Sequence, residues 1–480
     1  MDADAAVRAD APVSYPASSP QGVFDVAVIG AGAVGSATAS ALVRAGFRVV
    51  LLEASSDVGS GTSKANTAIW HTGFDAKPGT VEARLVARGY QLLAEHADEF
   101  NWPLERVGAV LVAWNADQLS RLDAIRASAL AVGYSRIQTL TLDQVYAHEP
   151  HLGPGALGGL LVPDEGLLDP WTITLALATD AVRNGATLQT RAPVDAAVRR
   201  ADTWSLSWPT GTTQARWVVN AAGLRSDTIN RLLGFDGFSI TPRRGQLIVF
   251  DKFARDLVQH IVLPVPTATT KGVLVSPTVY GNVLLGPTAE DLTDRTATQT
   301  TLDGLTGLLD HGARIMPALL ETEVTATYAG LRAATEHSDY CYQVHADAHY
   351  VCAGGIRSTG ISSCLAIAED VVRQLAELGE VPAPLRDPVT TAMPNLAEAR
   401  LRPYQDSAAI MRDPAYGALI CLCERVSQGE VRDALSAAVP AVDLDGLRRR
   451  TRALTGRCQG FHCGASLQAM LSAAGHDVDE

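Results

Sequence analysis

Four cysteines near the end of the chain, Cys421, Cys423, Cys458 and Cys463, are spaced as C-x-C and C-x-x-x-x-C. Four soft thiolates gathered from two short loops can hold one zinc ion or one iron–sulfur cluster. Zinc would be a structural knot; a [2Fe-2S] cluster would be an electron relay. The intervening text opens helices at Gln428 and after Asp443, with little core between them, as in a module organised by metal. The other three of the seven cysteines, Cys341, Cys352 and Cys364, occur singly in strand or helix text and read as ordinary buried thiols.

A second chemistry is written at the front. Phe24 to Ile29 reads as a short buried strand and runs into Gly30-Ala-Gly32-Ala-Val-Gly35. A helical run to about Arg44 follows, then a second apolar strand ending in Glu53. Gly30 permits the tight turn, Gly32 lets the backbone approach a pyrophosphate, and Gly35 lets helix and strand pack closely. Phosphates then sit at the helix N-terminus, and Glu53 accepts ribose hydroxyls. This is a dinucleotide fingerprint, and alone it does not separate FAD from NAD. Other junctions help. Thr62, Ser63 and Asn66 lie in a small-residue stretch able to rest against a cofactor. One strand runs into Ala222-Gly223, and another into Gly354-Gly355, followed by Gly360-Ile361 at a helix start. Strand ends converging on one long ligand suit a buried FAD better than an exchangeable NAD.

The elements that must position these groups are those of a large acidic α/β protein. The chain has 480 residues, of which 47% are hydrophobic and 19% charged, enough for two or three well-cored domains. A net charge of −13 argues against nucleic-acid binding through bulk positive charge. No apolar run is long enough for a membrane span, and residues 1–22 read as a disordered tail without a signal-like apolar segment. From Ile240 onward the text alternates as β-strands of an antiparallel sheet. The run Arg448-Arg449-Arg450 with Arg452 reads as a solvated helix face or a charge beside the metal, able to guide an acidic acceptor.

These motifs together resemble the FAD-dependent oxidoreductases of the D-amino-acid oxidase superfamily. The likeness is greatest to the branch of anaerobic-type glycerol-3-phosphate dehydrogenase large subunits and L-2-hydroxyglutarate dehydrogenases. It rests on Asn66, His71, Gly73 and Lys77-Pro-Gly-Thr80, and on the strands around Pro264, Lys271 and Gly281–Gly286. The cysteine tail resembles the BFD-like [2Fe-2S] domain, with all four ligand positions filled. The resemblance implies a Rossmann-like FAD-binding domain over 23–100, 151–235 and 326–385, interleaved with an antiparallel-sheet substrate domain over 101–150 and 236–325. A linker over 386–417 and the cluster module over 418–480 complete it. It also implies His71 near the flavin as a base and Arg332 as a clamp on an anionic group, with Arg357 a second cation. Lys271, Tyr280 and His337 are weaker candidates. Two departures from the family pattern bear on substrate contacts: Lys64, where many relatives have glycine, and Arg357-Ser-Thr-Gly360 near the flavin.

The expected function is an FAD-dependent dehydrogenase acting on a small anionic secondary alcohol, such as glycerol 3-phosphate or 2-hydroxyglutarate. Electrons would leave through the cluster to a ferredoxin-like protein, a partner subunit or a quinone-linked chain. The rival readings are an amino-acid, imino-acid or opine oxidase and a non-catalytic electron-transfer subunit. The thiol usage points to the cytoplasm, with peripheral contact at a membrane left open.

Overall fold

The computed structural model describes residues 22–266, 272–398 and 400–476; the tail expected over 1–22 lies almost wholly outside them. Five strands form a parallel sheet in the order Tyr350–Gly354, Gly211–Asn220, Val23–Ile29, Val49–Leu52, Thr187–Gln189. The two inner strands that carry the glycine turn and Glu53 are almost wholly buried, which is why they read as unbroken apolar text. The helix Ala33–Arg44 leaves the glycine turn and packs between Pro170–Arg183 and Gly360–Glu377. Antiparallel strands Cys341–His345, Ala196–Arg200 and Thr203–Trp208 extend the sheet to eight.

The second sheet has nine strands. Its spine is the long pair Thr241–Phe250 and Val324–Ala334, in register from Thr241 opposite Ala334 to Val249 opposite Ala326, with a shift before Phe250 meets Val324. All its pairings are antiparallel except Ile261–Pro264 alongside Ala109–Ala113. Two segments expected in the FAD-binding domain belong here instead. Gly158–Val162 pairs with Ala109–Ala113, and Val324–Ala334 with Thr241–Phe250. Both are apolar strands, and a strand pattern does not say which sheet it joins. A small third sheet joins Ile69–Trp70, Gly166–Leu168 and Leu104–Glu105.

The segment expected as a bare linker is packed. Leu396 and Ala397 are buried beside Val279 and Tyr280, and Arg402 is fully buried. Beyond it lies the C-terminal module, with helices Gln428–Ser436, Leu444–Thr451 and Gly464–Ala473 and the strand pair Leu419–Cys421 and Val426–Ser427. Ser427 and Glu430 close a capping box on the first helix. Val426, Val431, Leu447, Leu467 and Leu471 make the module's own core, together with Cys421 and Cys463.

Candidate active site and redox module

A cavity of about 1150 Å³ opens between the two large sheets. Gly30 turns with φ +101°, and a side chain there would strike the Ala221 carbonyl at 2.5 Å. A side chain on Gly35 would meet the Gly30 carbonyl at 1.7 Å, so helix and strand touch as a dinucleotide fold requires. Gly32 forms cavity wall, and the helix that follows has no cap from Gly32. Ser63 Oγ accepts the Ala33 N–H at 3.0 Å. Glu53 is held by the N–H groups of Ala31 and Ser55, at 2.7 and 2.8 Å, with its carboxylate at the cavity wall. Thr62, Asn66, Ala222, Gly223, Gly360 and Ile361 share that wall; Gly35 and Gly355 stand behind it. The glycine floor, the helix N-terminus and the held carboxylate fit FAD along this cleft.

His71 follows Trp70, and Glu165 precedes Gly166. Trp70 and Gly166 are direct partners in the small antiparallel sheet, which brings the next residues face to face. His71 Nδ1 lies 3.2 Å from Glu165 Oε2. Glu165 is fully buried, and its other oxygen accepts the Thr72 N–H and hydroxyl, both at 2.7 Å. Oε2 makes no aligned hydrogen bond among the described residues, so His71 stands beside it at ion-pair distance only. The pairing leaves His71 Nε2 as the ring nitrogen available to the cavity. No sequence signal tied Glu165 to His71.

Arg332 also faces the cavity. Its guanidinium reaches only the Thr288 carbonyl, at 3.4 Å, and meets no carboxylate among the described residues. Gly245 makes room for it; a side chain there would come within 2.6 Å of its Nη2. Burial, with the charge of Arg243, draws the Arg332 guanidinium down to about 10. Arg243 itself is paired with Asp291. Arg357 lines the cavity too, but Nη2 donates to Glu82 at 2.5 Å and to the Ser338 carbonyl at 2.7 Å. That pairing makes it a poorer clamp for a second anion than Arg332. Tyr280 is buried away from the cavity with its hydroxyl on Asp169, at 2.6 Å. His337 is exposed and bonds the Gly237 carbonyl. Lys271 lies outside the described residues. Lys64 is not part of the cavity wall and pairs with Asp445 of the C-terminal module, at 2.8 Å.

In the module, the Cys421 thiol neighbours Cys463, and the Cys423 thiol neighbours Cys458. Among the described residues no three His, Cys, Asp or Glu side chains converge on a single-ion site. Two adjacent thiol pairs offer the four cysteines that a [2Fe-2S] cluster takes. The backbone amide of His462, with those of Gly460 and Phe461, lowers the Cys458 thiol against the opposing effect of burial. Burial pushes Cys421 up to about 11. Cys341, Cys352 and Cys364 are buried elsewhere.

The arginine run is not a solvated face. Arg449 and Arg450 are buried and both bind Asp57, itself 2% exposed, in the loop after Glu53. Arg449 also bonds Asp445. Arg452 and Glu424 are buried together at 2.8 Å, and Lys252 Nζ joins Glu424 at 3.1 Å. Only Arg448 is well exposed. A local sequence window cannot show these acids, because two of the three come from outside the run's own helix.

A family model described as FAD dependent oxidoreductase matches residues 25–374. The chain belongs to this family. A second model, described as BFD-like [2Fe-2S] binding domain, matches 419–473. The flavoenzyme is 35% identical, over 94% of each chain, to glycerol 3-phosphate dehydrogenase from Caloramator mitchellensis. It is 30% identical to glycerol 3-phosphate oxidase from Mycoplasma pneumoniae, over 73% of this chain and 94% of that one. The FAD-bound, dithionite-reduced L-alpha-glycerophosphate oxidase of the same organism superposes with a TM-score of 0.70 at 28% identity, over 74% of this chain and 95% of that one. The flavoenzyme therefore uses FAD and a [2Fe-2S] cluster to oxidise a small organic substrate and pass its electrons on. Among the described residues no helix is long and apolar enough to cross a membrane.

Proposed function

We propose that the flavoenzyme is a glycerol 3-phosphate dehydrogenase that yields the 2-keto phosphate. The observation that carries this reading is an arginine that meets no carboxylate among the described residues, facing the same cavity as a histidine set beside a buried carboxylate. When bound, FAD supplies a two-electron acceptor and the cluster a one-electron carrier. Arg332 pairs with the phosphate and fixes the distance of the carbinol carbon from the acceptor. His71 Nε2 takes the hydroxyl proton, and Glu165 stabilises the imidazolium that results. Loss of that proton and of a hydride leaves the ketone. The 35%-identical dehydrogenase, matched across the module as well, supports this substrate over a 2-hydroxy acid. The L-2-hydroxyglutarate dehydrogenase of Caenorhabditis elegans is 28% identical over 55% of this chain. We place the enzyme in the cytoplasm, delivering electrons to a protein or quinone-linked acceptor.

Anaerobic mixing with glycerol 3-phosphate, L-2-hydroxyglutarate and amino acids tests the reading. Glycerol 3-phosphate is expected to bleach the flavin fastest. Bleaching by a hydroxy acid or an amine, with none by glycerol 3-phosphate, overturns it.

A further inference from the structure

We infer that Trp171 and Tyr280, stacked beneath Arg452, form the route by which electrons pass from the flavin cleft to the cysteine module. The inference rests on the two cofactors and not on the identity of the substrate.

The route begins at the ligand loop. Glu424 directly follows Cys423, and Gly456 lies so close to Cys423 that a side chain there would meet Cys423 Cβ at 2.2 Å. Glu424 holds Arg452 through two bonds of 2.8 and 3.1 Å to one oxygen, both side chains buried. The Arg452 guanidinium carbon stands 3.9 Å above the centre of the Tyr280 ring, a close cation–π contact. Tyr280 stacks on Trp171 with ring centres 5.5 Å apart and planes at 30°. Trp171 Nε1 donates to the Lys64 carbonyl at 3.0 Å. Lys64 sits between Ser63 and Ala65, and both form cleft wall. Tyr280 Oη bonds Asp169, whose preceding residue, Leu168, is cleft wall as well. Every link is a bond, a hydrogen bond or a ring contact.

Two features set this column apart from ordinary interface packing. It crosses the seam between the module and the flavin-binding part, and ion pairs that span the seam, Asp57 with Arg449 and Arg450 and Lys252 with Glu424, hold it closed. It also places two electron-rich rings in series there, with their polar atoms fixed by Asp169 and a carbonyl. Electron tunnelling weakens steeply with distance and less steeply through packed, bonded matter than across a gap. Each transfer takes one electron from reduced flavin and adds one to the oxidised cluster. Two transfers reoxidise the flavin, its proton leaving to solvent, provided a one-electron acceptor empties the cluster between them.

The test uses the full chain loaded with FAD and cluster, photoreduced with a deazaflavin in the absence of substrate. Flavin absorbance and the cluster's EPR signal are followed together, with midpoint potentials of both centres measured separately. Trp171→Leu and Tyr280→Leu are expected to slow flavin-to-cluster equilibration by about tenfold or more. Trp171→Phe and Tyr280→Phe are expected to stay near the wild-type rate, and all potentials to stay unchanged. Wild-type equilibration in both leucine variants overturns the route, as does a slowing explained wholly by shifted potentials. If a leucine variant sheds either cofactor, Trp171→Phe against Trp171→Met decides. A slower Met variant supports the route, and equal rates overturn it.

Discussion

A buried carboxylate facing an imidazole fixes which ring nitrogen carries the proton. Glu165→Gln keeps the shape but weakens that control. The rate of flavin reduction by substrate is expected to fall about 10- to 100-fold, and His71→Asn to cost about 10²- to 10⁴-fold, both read by stopped-flow absorbance. Arg332 answers a different measurement. Its folded value is drawn down to about 10, so it is cationic at neutral pH and loses its charge as pH rises through 10. KM for the anionic substrate is expected to be flat below pH 9 and to climb beyond about pH 10. Arg332→Met is expected to raise KM about 10- to 100-fold at pH 7, since a charge-assisted pair is worth about 1.5–3 kcal/mol. The same variant is expected to melt no lower than wild type without ligand, because it removes a half-buried charge that meets no carboxylate among the described residues. At this scale the sequence spoke through residue type. His71 and Arg332 were legible by resemblance, whereas Glu165 was not, since nothing local distinguishes it from a surface acid.

The elements explain both the successes and the misses. The strand, glycine turn, helix, strand and acid at the front are local, and their spacing alone foretold the tight turn at Gly30 and the close approach of helix and strand at Gly35. The two large sheets draw their strands from several stretches of chain, so Gly158–Val162 and Val324–Ala334 were assigned to the wrong sheet. The helix Leu444–Thr451 was misread because its partners lie elsewhere. Asp57, Glu424 and Asp445 are each resisted by burial, yet the arginines, with Lys252 and Lys64, hold all three below their usual values. Groups depressed in this way stabilise the seam above their unfolded values, 3.8 for the aspartates and 4.5 for the glutamate, and lose that contribution as pH falls through the lower folded ones. Protease cleavage between 380 and 417 is therefore expected to stay slow at pH 5 and to accelerate below about pH 3.5. Asp57→Asn is expected to loosen the seam by about 3–5 kcal/mol at neutral pH, seen as earlier thermal release of the cluster's visible signal.

For the whole molecule, net charge says little about where the charges lie. The net charge of −13 described a surface but concealed a basic interior seam, because those arginines are spent on buried acids. Cofactor content follows from the same architecture. One FAD and two irons per chain are expected, and Cys458→Ser is expected to remove the iron EPR signal while leaving the flavin spectrum and its reduction by substrate intact.

The pairing of Asp57 with Arg449 and Arg450 also constrains how such a chain can be shortened. A version ending before 418 would leave Asp57 without its two cations and Tyr280 without its covering guanidinium. The cut alone would turn a closed seam into an unpaid charge beside the nucleotide loop. Flavoenzymes of this family that live without the module are expected to carry an uncharged residue at the Asp57 position, a joint loss that aligned sequences of both kinds would display.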